Sequence, residues 1–117
     1  MLFLLYRSYE SDTLVLHRGF PQLKVLHLSN LLTVTECKVE KGAMPCLHRL
    51  AIDWCKQLRA LPDGLEDITT LTELTIHRMP KRFCSRVVEG GDDFYKIKHV
   101  PSVIITNITD DEDIRIG

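Results

Sequence analysis

The sequence predicts an α/β fold in which short parallel strands, one from each of several tandem repeats, lie side by side. When the chain is written from Phe20 in blocks of 24 residues, three columns hold an aliphatic residue in three successive blocks. The columns are Leu23, Leu47 and Leu71; Leu26, Leu50 and Leu74; and Leu28, Ile52 and Ile76. The last two columns are separated by one position, which is the alternation of a strand with one buried face. Repeats of this length bury their apolar faces against their neighbours and so form a solenoid.

Length, charge and cysteine spacing restrict the classes of protein to consider. The 117 residues are enough for one domain, and 15 Lys and Arg against 16 Asp and Glu make the chain nearly neutral. Near neutrality argues against a nucleic-acid-binding module, and no apolar run approaches the length of a membrane span. The four cysteines form no CxxC pair and no zinc spacing, so we expect reduced thiols that are buried or partly buried. No metal or other cofactor is predicted.

The first unit, residues 1–19, is predicted to be an incomplete repeat. Leu2 and Leu4 stand 24 positions before Leu26 and Leu28, which extends two of the aliphatic columns backwards. This register places Phe3 and Leu5 on the outward side of the first strand. Because an apolar strand begins at once, without a polar lead-in, we interpret the chain as the last coils of a longer solenoid.

Three complete repeats are predicted at residues 20–43, 44–67 and 68–91. Their pattern, LxxLxLxx followed by a ninth position that turns the chain, is typical of leucine-rich repeats. Short parallel strands would occupy the concave face of the solenoid, and irregular or helical segments would form the convex returns. In the second repeat Cys55 holds the ninth position, where a small side chain can satisfy backbone amides, and Asp63-Gly64 makes a turn.

Residues 81–106 are predicted to form a C-terminal helical cap on the solenoid. The segment Lys81–Glu89 has apolar residues at helical spacing, and Gly90-Gly91 follows it as a signal that ends a helix. Asp92 is predicted to cap a second short helical turn.

The last part of the chain is predicted to contain one more strand and a tail. Val103, Ile104 and Ile105 are typical of a final short strand. Residues 107–117 are predicted to be an acidic, disordered tail, because they include the run Asp110–Asp113.

Six short motifs follow one another in a distinctive order. They are GFPQLKVL at 19–26, GAMPCL at 42–47, LPDGL at 61–65, MPK at 79–81, VEGG at 88–91 and YKIKHVPSV at 95–103. In this order they resemble the C-terminal part of the leucine-rich-repeat domain of plant coiled-coil nucleotide-binding disease resistance proteins. The resemblance covers about residues 2–106.

The resemblance implies a protein-recognition module of a cytoplasmic immune receptor, and not an enzyme. In that family the solenoid recognises pathogen effectors and restrains an ATP/ADP switch. The implied partners are therefore a pathogen effector or a guarded host protein, and the nucleotide-binding domain of the parent receptor; no nucleic acid or membrane span is implied. This sequence contains no GxxxxGKS/T phosphate loop, so we expect it to bind no nucleotide in the manner of the family.

In a leucine-rich repeat the side chains between the buried strand positions face the concave surface, where partners usually bind. Trp54 and Arg49 are residue types that often anchor interfaces, although Trp54 could equally fill the edge of the solenoid. The candidate protein-binding face consists of Val25, His27, Ser29, Arg49, Asp53, Trp54, Glu73, Thr75, His77 and Arg78.

Ser29, Asp53 and His77 share one column, which raises an enzymatic interpretation. Strands about 4.8 Å apart would set them in a row on an open sheet, with no pocket and no oxyanion donors, so we predict no catalytic residue. Two classes remain. One is a recognition and autoregulatory module of an immune receptor; the other is a generic leucine-rich-repeat scaffold or adaptor, such as a substrate-recruiting arm of a ubiquitin ligase.

Overall fold

The computed structural model describes residues 2–6, as backbone alone, and residues 12–109. The described chain runs through seven strands, two short α-helices and one 3₁₀ helix. In order these are β1 (Leu2–Tyr6), β2 (Thr13–Leu16), β3 (Val25–Ser29), β4 (Glu36–Val39), β5 (Arg49–Asp53), the 3₁₀ helix (Leu65–Asp67), β6 (Glu73–His77), α1 (Lys81–Val87), α2 (Phe94–Ile97) and β7 (Ser102–Thr106). No helix among the described residues is both long enough and apolar enough to cross a bilayer.

Five of the strands form one parallel sheet in the order β1-β3-β5-β6-β7. β3 and β5 pair Leu26 with Leu50, and β5 and β6 pair Leu50 with Leu74. These pairs are the residues that the 24-residue alignment places in one column. The prediction of an α/β fold with short parallel strands is therefore confirmed, and so is the 24-residue spacing of its three central strands.

One side of this sheet carries the hydrophobic core. Along β3, β5 and β6 the buried positions alternate with more exposed ones, because successive side chains of a strand point to opposite faces. Leu50 is 2% exposed, and its neighbours Leu26 and Leu74 are 1% and 0% exposed. The column of Leu23, Leu47 and Leu71 is equally buried, and its members are 0–1% exposed.

The first two returns differ from the prediction of irregular or helical segments. They contain β2 and β4, which pair in parallel as a separate two-stranded sheet. An isolated bridge between Lys38 and Asp63 continues this pairing into the next return. The physical reason is visible in the burial pattern: Leu14, Leu16, Cys37 and Val39 alternate with more exposed residues, so each return packs on the core as a strand.

The predicted register of the first strand is wrong by one residue. β1 pairs Leu2 with Val25, so Phe3 and Leu5 lie in register with the buried Leu26 and Leu28. The strand-to-strand spacing is 23 residues here and in the β2–β4 pair, and a shift of one residue exchanges the two faces of a strand. The outward orientation predicted for Phe3 and Leu5 concerns side chains outside the described part of the chain.

The fourth return, between β6 and β7, is helical, and it differs from the prediction at both helices. α1 ends at Val87 rather than Glu89, and Val88 is half exposed. Asp92 does not cap α2: the position before α2 is Asp93, and the Asp92 carboxylate instead lies 3.3 Å from Arg86 Nη1. The side chain of Asp93 does not cap the helix either, because it points into the core side of the return.

The final strand is present as predicted and extends the sheet. β7 pairs with β6 in parallel and places Val103 beside Leu74, 29 positions after it. Beyond β7, Thr109 donates its amide to the Met79 carbonyl at 2.9 Å and accepts a hydrogen bond from the Lys81 amide at 3.1 Å. Residues 107–109, which the sequence assigns to the tail, thus lie against the start of α1; the acidic run of the predicted tail lies outside the described residues.

A buried ionic cluster joins α2 to the preceding return. Lys96 Nζ lies 2.8 Å from Asp63 Oδ1 and 3.3 Å from Asp93 Oδ1, and it donates to the Leu61 carbonyl at 2.9 Å. Asp93 Oδ2 accepts hydrogen bonds from the Leu61 amide at 3.0 Å and from Arg86 Nε at 3.1 Å. The side chains of Lys96 and Asp93 are only 4% and 2% exposed. Lys96 therefore binds the carbonyl of Leu61, and Asp93 binds its amide.

Gly64 marks a close approach between two returns. Its φ is +102°, and a Cβ atom there would lie 2.3 Å from the carbonyl oxygen of Val39. Backbone atoms at that distance must move, and the conformation is strained for any residue with a side chain.

We expect Gly64→Ala to lower the free energy of unfolding by about 2 kcal/mol or more, from the strained φ and the clash together. Chemical denaturation followed by circular dichroism measures this change. Gly90→Ala is the matched control, since Gly90 has φ +92° but no atom within 4 Å of the added Cβ. If both variants lose the same amount, the contact between Gly64 and Val39 contributes nothing.

Candidate protein-binding face

The face of the five-stranded sheet that points away from the core carries three columns of side chains. The register places Val25, Arg49 and Glu73 in the first column and Ser29, Asp53 and His77 in the third. The middle column contains His27, Ala51 and Thr75. We call this surface the open face. All of these residues are partly or fully exposed, in contrast to the core columns.

The residue that follows each of four strands adopts a left-handed backbone conformation. These residues are Asn30, Trp54, Arg78 and Asn107, with φ between 51° and 56°. Asparagine tolerates this conformation, whereas a bulky residue such as Trp adopts it rarely. Backbone hydrogen bonds hold the turn: the Trp54 amide donates to the His77 carbonyl, and the Arg78 amide donates to the Thr106 carbonyl. Trp54 and Arg78 are thereby presented in equivalent positions on neighbouring strands.

At the strand ends two cations lie over one aromatic ring. Lys56 Nζ is 4.3 Å from the centroid of the Trp54 ring, and the Arg78 guanidinium carbon is 5.3 Å from it. Arg78 also makes a two-point hydrogen bond with Asp53, with Nε–Oδ1 at 2.8 Å and Nη2–Oδ2 at 2.7 Å. Such fork geometry fixes the guanidinium plane. Trp54 is therefore half-buried at the end of β5, with the charged groups of Lys56 and Arg78 close to its ring.

Two further cations adjoin this group. Arg82 Nη2 donates to the Lys56 carbonyl at 2.8 Å, and Lys81 precedes Arg82 at the exposed start of α1. We call Trp54, Lys56, Arg78, Lys81 and Arg82 the basic corner. Within the part of the chain that the structure describes, neither Lys56 nor Lys81 makes an ion pair. The basic corner thus combines a flat aromatic surface with positive charge.

The remaining candidate residues make weaker contacts. Arg49 Nε lies 4.0 Å from Glu73 Oε2 and both side chains are exposed, so this pair adds little to stability. His77 Nδ1 is 2.8 Å from the Thr106 hydroxyl and 3.4 Å from the Asn107 side-chain amide. The Asn107 and Thr106 contacts extend the open face onto β7.

The column of Ser29, Asp53 and His77 is formed as the register predicts, but its members do not act on one another. The Asp53 carboxylate is held by Arg78, and His77 faces Thr106. Ser29 Oγ accepts a hydrogen bond from the Asn30 side chain. A groove of about 240 Å³ lies between residues 39–45 and 64–69, and no member of the column lines it. Among the described residues, this column shows no contact between a nucleophile and a base, and the groove does not adjoin it.

The cysteines offer no reactive group in the core. All four are free thiols, and all but Cys46 are buried. Burial raises the pKa of Cys37 to about 12 and that of Cys55 to about 11, and a protonated thiol is a poor nucleophile and metal ligand. Cys55 Sγ lies 3.5 Å from the Leu28 and Asp53 carbonyl oxygens, so it contacts carbonyls at the turn, where the sequence suggested amides. Residues 12–109 contain no group of three His, Cys, Asp or Glu side chains arranged for a metal ion.

The sequence did not identify Lys56, Lys81, Arg82, Thr106 and Asn107 as part of this surface. Thr106 and Asn107 were missed because β7 follows β6 by 29 residues, which departs from the 24-residue period. Lys56 follows the ninth position of its repeat, and the repeat pattern does not predict which way its side chain points. The sequence feature that pointed to Lys56 was its position immediately after Trp54-Cys55.

The chain is similar to several disease resistance proteins of Arabidopsis thaliana. It is 51% identical over 89 residues to "Probable disease resistance RPP8-like protein 2" and 48% identical over 89 residues to "Disease resistance protein RPP8". It is 40% identical over 103 residues to "Disease resistance protein RPH8A". These matches cover 76%, 76% and 87% of this chain but only 10–11% of each relative. They confirm the resemblance predicted from the sequence motifs.

The other two comparisons found nothing. No protein-family model matches the chain, and no solved structure matches it.

Proposed function

Because this chain is homologous to one segment of the RPP8-like plant disease resistance proteins, we propose that it is a protein-recognition segment of a cytoplasmic plant immune receptor. In this proposal the repeats are leucine-rich repeats of a solenoid, and the open face is its concave surface. The partners are a pathogen effector or a guarded host protein and, within the parent receptor, the nucleotide-binding domain.

The observation that carries the proposal is the geometry of Trp54 on the open face. Its ring is half-buried, held in a left-handed turn and flanked by Lys56 and Arg78. Tryptophan and arginine dominate the binding energy of protein interfaces, and they do so best when their orientation is fixed before binding. The buried hydrophobic core includes Leu28, Ile52 and Ile76 but not Trp54.

The open face favours recognition over catalysis. Its side chains lie in rows on a sheet, and its polar groups are paired with one another rather than directed at a common point. A reaction would need a nucleophile, a base and a stabilising donor around one position. The proposed activity is therefore binding, with restraint of the parent receptor as one consequence.

The alternative of a generic scaffold or ubiquitin-ligase arm is not favoured by the comparisons. The relatives are named as disease resistance proteins. The chain spans about a tenth of their length, so the activity of the complete proteins is assigned to this segment only as part of the proposal.

A graft into a relative tests the proposal. The matching segment of the Arabidopsis disease resistance protein RPP8 is replaced by the corresponding residues of this chain, and the chimera is expressed in plants that lack RPP8. We expect Trp54→Ala in the chimera to change either pathogen resistance or spontaneous cell death, because a fixed aromatic anchor contributes about 2–4 kcal/mol to binding.

The control is Lys38→Ala, an exposed residue of β4 on the other sheet. We expect this variant to behave like the unmodified chimera. If Trp54→Ala and Lys38→Ala both leave resistance and cell death unchanged while protein levels are equal, the open face is not the recognition surface.

A further inference from the structure

The basic corner concentrates positive charge beyond the ends of β5 and β6. It contains four cations, which are Lys56, Arg78, Lys81 and Arg82. The carboxylate of Asp53 lies against Arg78. Between residues 12 and 109, however, no carboxylate lies within ion-pair distance of the Lys56 or the Lys81 ammonium. The basic corner therefore presents two ammonium groups that no described acid neutralises.

Contacts within the protein already orient most of these cations. Lys56 Nζ lies 4.3 Å from the centroid of the Trp54 ring, and the Lys56 carbonyl accepts a hydrogen bond from Arg82 Nη2 at 2.8 Å. Arg78 is fixed by its two-point hydrogen bond with Asp53. A mobile lysine side chain loses rotamer freedom when it binds a ligand, so a side chain that is ordered beforehand binds at a smaller entropic cost. The basic corner is therefore better suited to bind carboxylates than an unsupported surface lysine.

The surrounding charges favour a short acidic peptide segment over an extended polyanion. Arg78 already holds a carboxylate in the two-point geometry that suits this group. Glu73 and Asp53 lie on the adjoining open face, and they would repel a nucleic acid or an anionic membrane that continued past the basic corner. The whole chain has a formal net charge of -1, whereas nucleic-acid-binding modules carry a basic stripe.

We propose that the basic corner binds an acidic segment of a partner protein, whose carboxylates pair with Lys56 and Lys81 beside the Trp54 ring. Acidic residues two positions apart in an extended segment point to the same side and lie about 7 Å apart, so one segment offers carboxylates to two separate ammonium groups. The inference rests on the proposed function and deepens it, since it states the chemistry of the partner at one end of the recognition surface.

The experiment titrates the full chain with a blocked octapeptide in which Glu and Ala alternate. Trp54 is the single tryptophan, so its indole N–H signal in a ¹H–¹⁵N spectrum reports on the basic corner. We expect the signal to shift and to saturate, with a Kd in the millimolar range or below. The same peptide with Gln in place of Glu is expected to leave the signal unchanged. The proposal is overturned if the Glu peptide gives no saturable shift, or if the Gln peptide gives the same shift.

Substitutions locate the binding site. Lys56→Gln combined with Lys81→Gln is expected to raise the Kd about fivefold or more, because each exposed ion pair contributes up to about a fivefold change in affinity. The matched control is Lys24→Gln combined with Lys38→Gln, which removes the same charge from two exposed residues outside the basic corner. We expect the control to stay within about twofold of the wild type. Equal weakening in both double variants would reveal a general charge effect and refute the assignment.

Two further probes distinguish a polypeptide from other anionic partners. We expect an oligothymidylate with four phosphates, and vesicles that contain phosphatidylserine, to bind more weakly than the Glu peptide. Equal or tighter binding of either probe would overturn the assignment to an acidic polypeptide.

The titrations and the chimera test fail independently. Because the titrations use the chain alone, a negative result would leave the expected effect of Trp54→Ala in the RPP8 chimera unchanged. Conversely, a chimera that does not respond to Trp54→Ala would refute the proposed function, while the titrations would still report whether the basic corner binds carboxylates.

Discussion

Leu50→Asp is expected to prevent the chain from folding. Leu50 is 2% exposed and lies in the central strand of the sheet, between Leu26 of β3 and Leu74 of β6. A carboxylate at this position would be surrounded by apolar side chains with no cation near it. Burying an unpaired charge costs more than the roughly 5–15 kcal/mol by which a domain is stable. Far-ultraviolet circular dichroism should show the spectrum of an unfolded chain.

Arg49→Glu is the matched control for this experiment. Arg49 is the neighbouring residue of the same strand, and its side chain is 65% exposed on the open face. We expect a change of less than about 1 kcal/mol in the free energy of unfolding, because the contact with Glu73 is long and solvent-exposed. Equal loss of structure in both variants would show that the assignment of the two faces is wrong.

Asp93→Ala is expected to lower the free energy of unfolding by about 3–5 kcal/mol, the usual consequence of removing one member of a buried ion pair. The substitution leaves the ammonium of Lys96 buried next to Asp63 alone, and it leaves the Leu61 amide without its acceptor. Urea denaturation of the full chain measures the loss. Asp92→Ala is the control: Asp92 is the preceding residue, its side chain is 82% exposed, and it too contacts Arg86.

The same cluster predicts a pH dependence. Burial alone would raise the pKa of Asp93, but hydrogen bonds from Arg86 and the Leu61 amide, together with the charge of Lys96, hold that pKa below its ordinary value. The carboxylate therefore stabilises the fold above the ordinary carboxyl pKa. This contribution is lost as the pH falls through the lowered pKa of the folded chain.

Lys96 gives the opposite dependence. Burial would lower its pKa, but Asp63 and Asp93 raise that pKa above its ordinary value, so the contribution of Lys96 is lost only when the pH rises through the raised value.

The wild-type chain should lose stability steeply in acid, and Asp93→Asn should lose less over the same pH range. Parallel curves for the two proteins would contradict this assignment of the charges.

The sequence predicted the central sheet because one buried face imposes a strict period. The column of Leu26, Leu50 and Leu74 can be recognised from the sequence alone, because a shift of one residue would turn polar residues such as Arg49 toward the core. The prediction failed for β1, where the spacing is 23 and both alternating positions are apolar. Two faces of equal hydropathy leave the register undetermined.

The returns and the basic corner could not be predicted in the same way. β2 and β4 have the alternation of strands, but they are four residues long and compete with other structures at that length. The contact of Lys96 with Asp63, and of Asp93 with Leu61, joins residues more than 30 positions apart and follows no period. Trp54 was among the candidate residues, whereas Lys56 and Arg82 lie beyond the strands, where the repeat period predicts no contact.

In the proposed function, the open face determines what this segment recognises, whereas the core face maintains the fold. The most direct test exchanges residues in the RPP8 chimera. In one chimera the candidate residues of the open face, from Val25 to Arg78, are replaced by those that RPP8 carries at the aligned positions; in the other the aliphatic core columns are replaced in the same way. We expect the response to pathogen to follow the open-face residues and to be unaffected by the core exchange. A response that follows the core columns, or neither set, would contradict it.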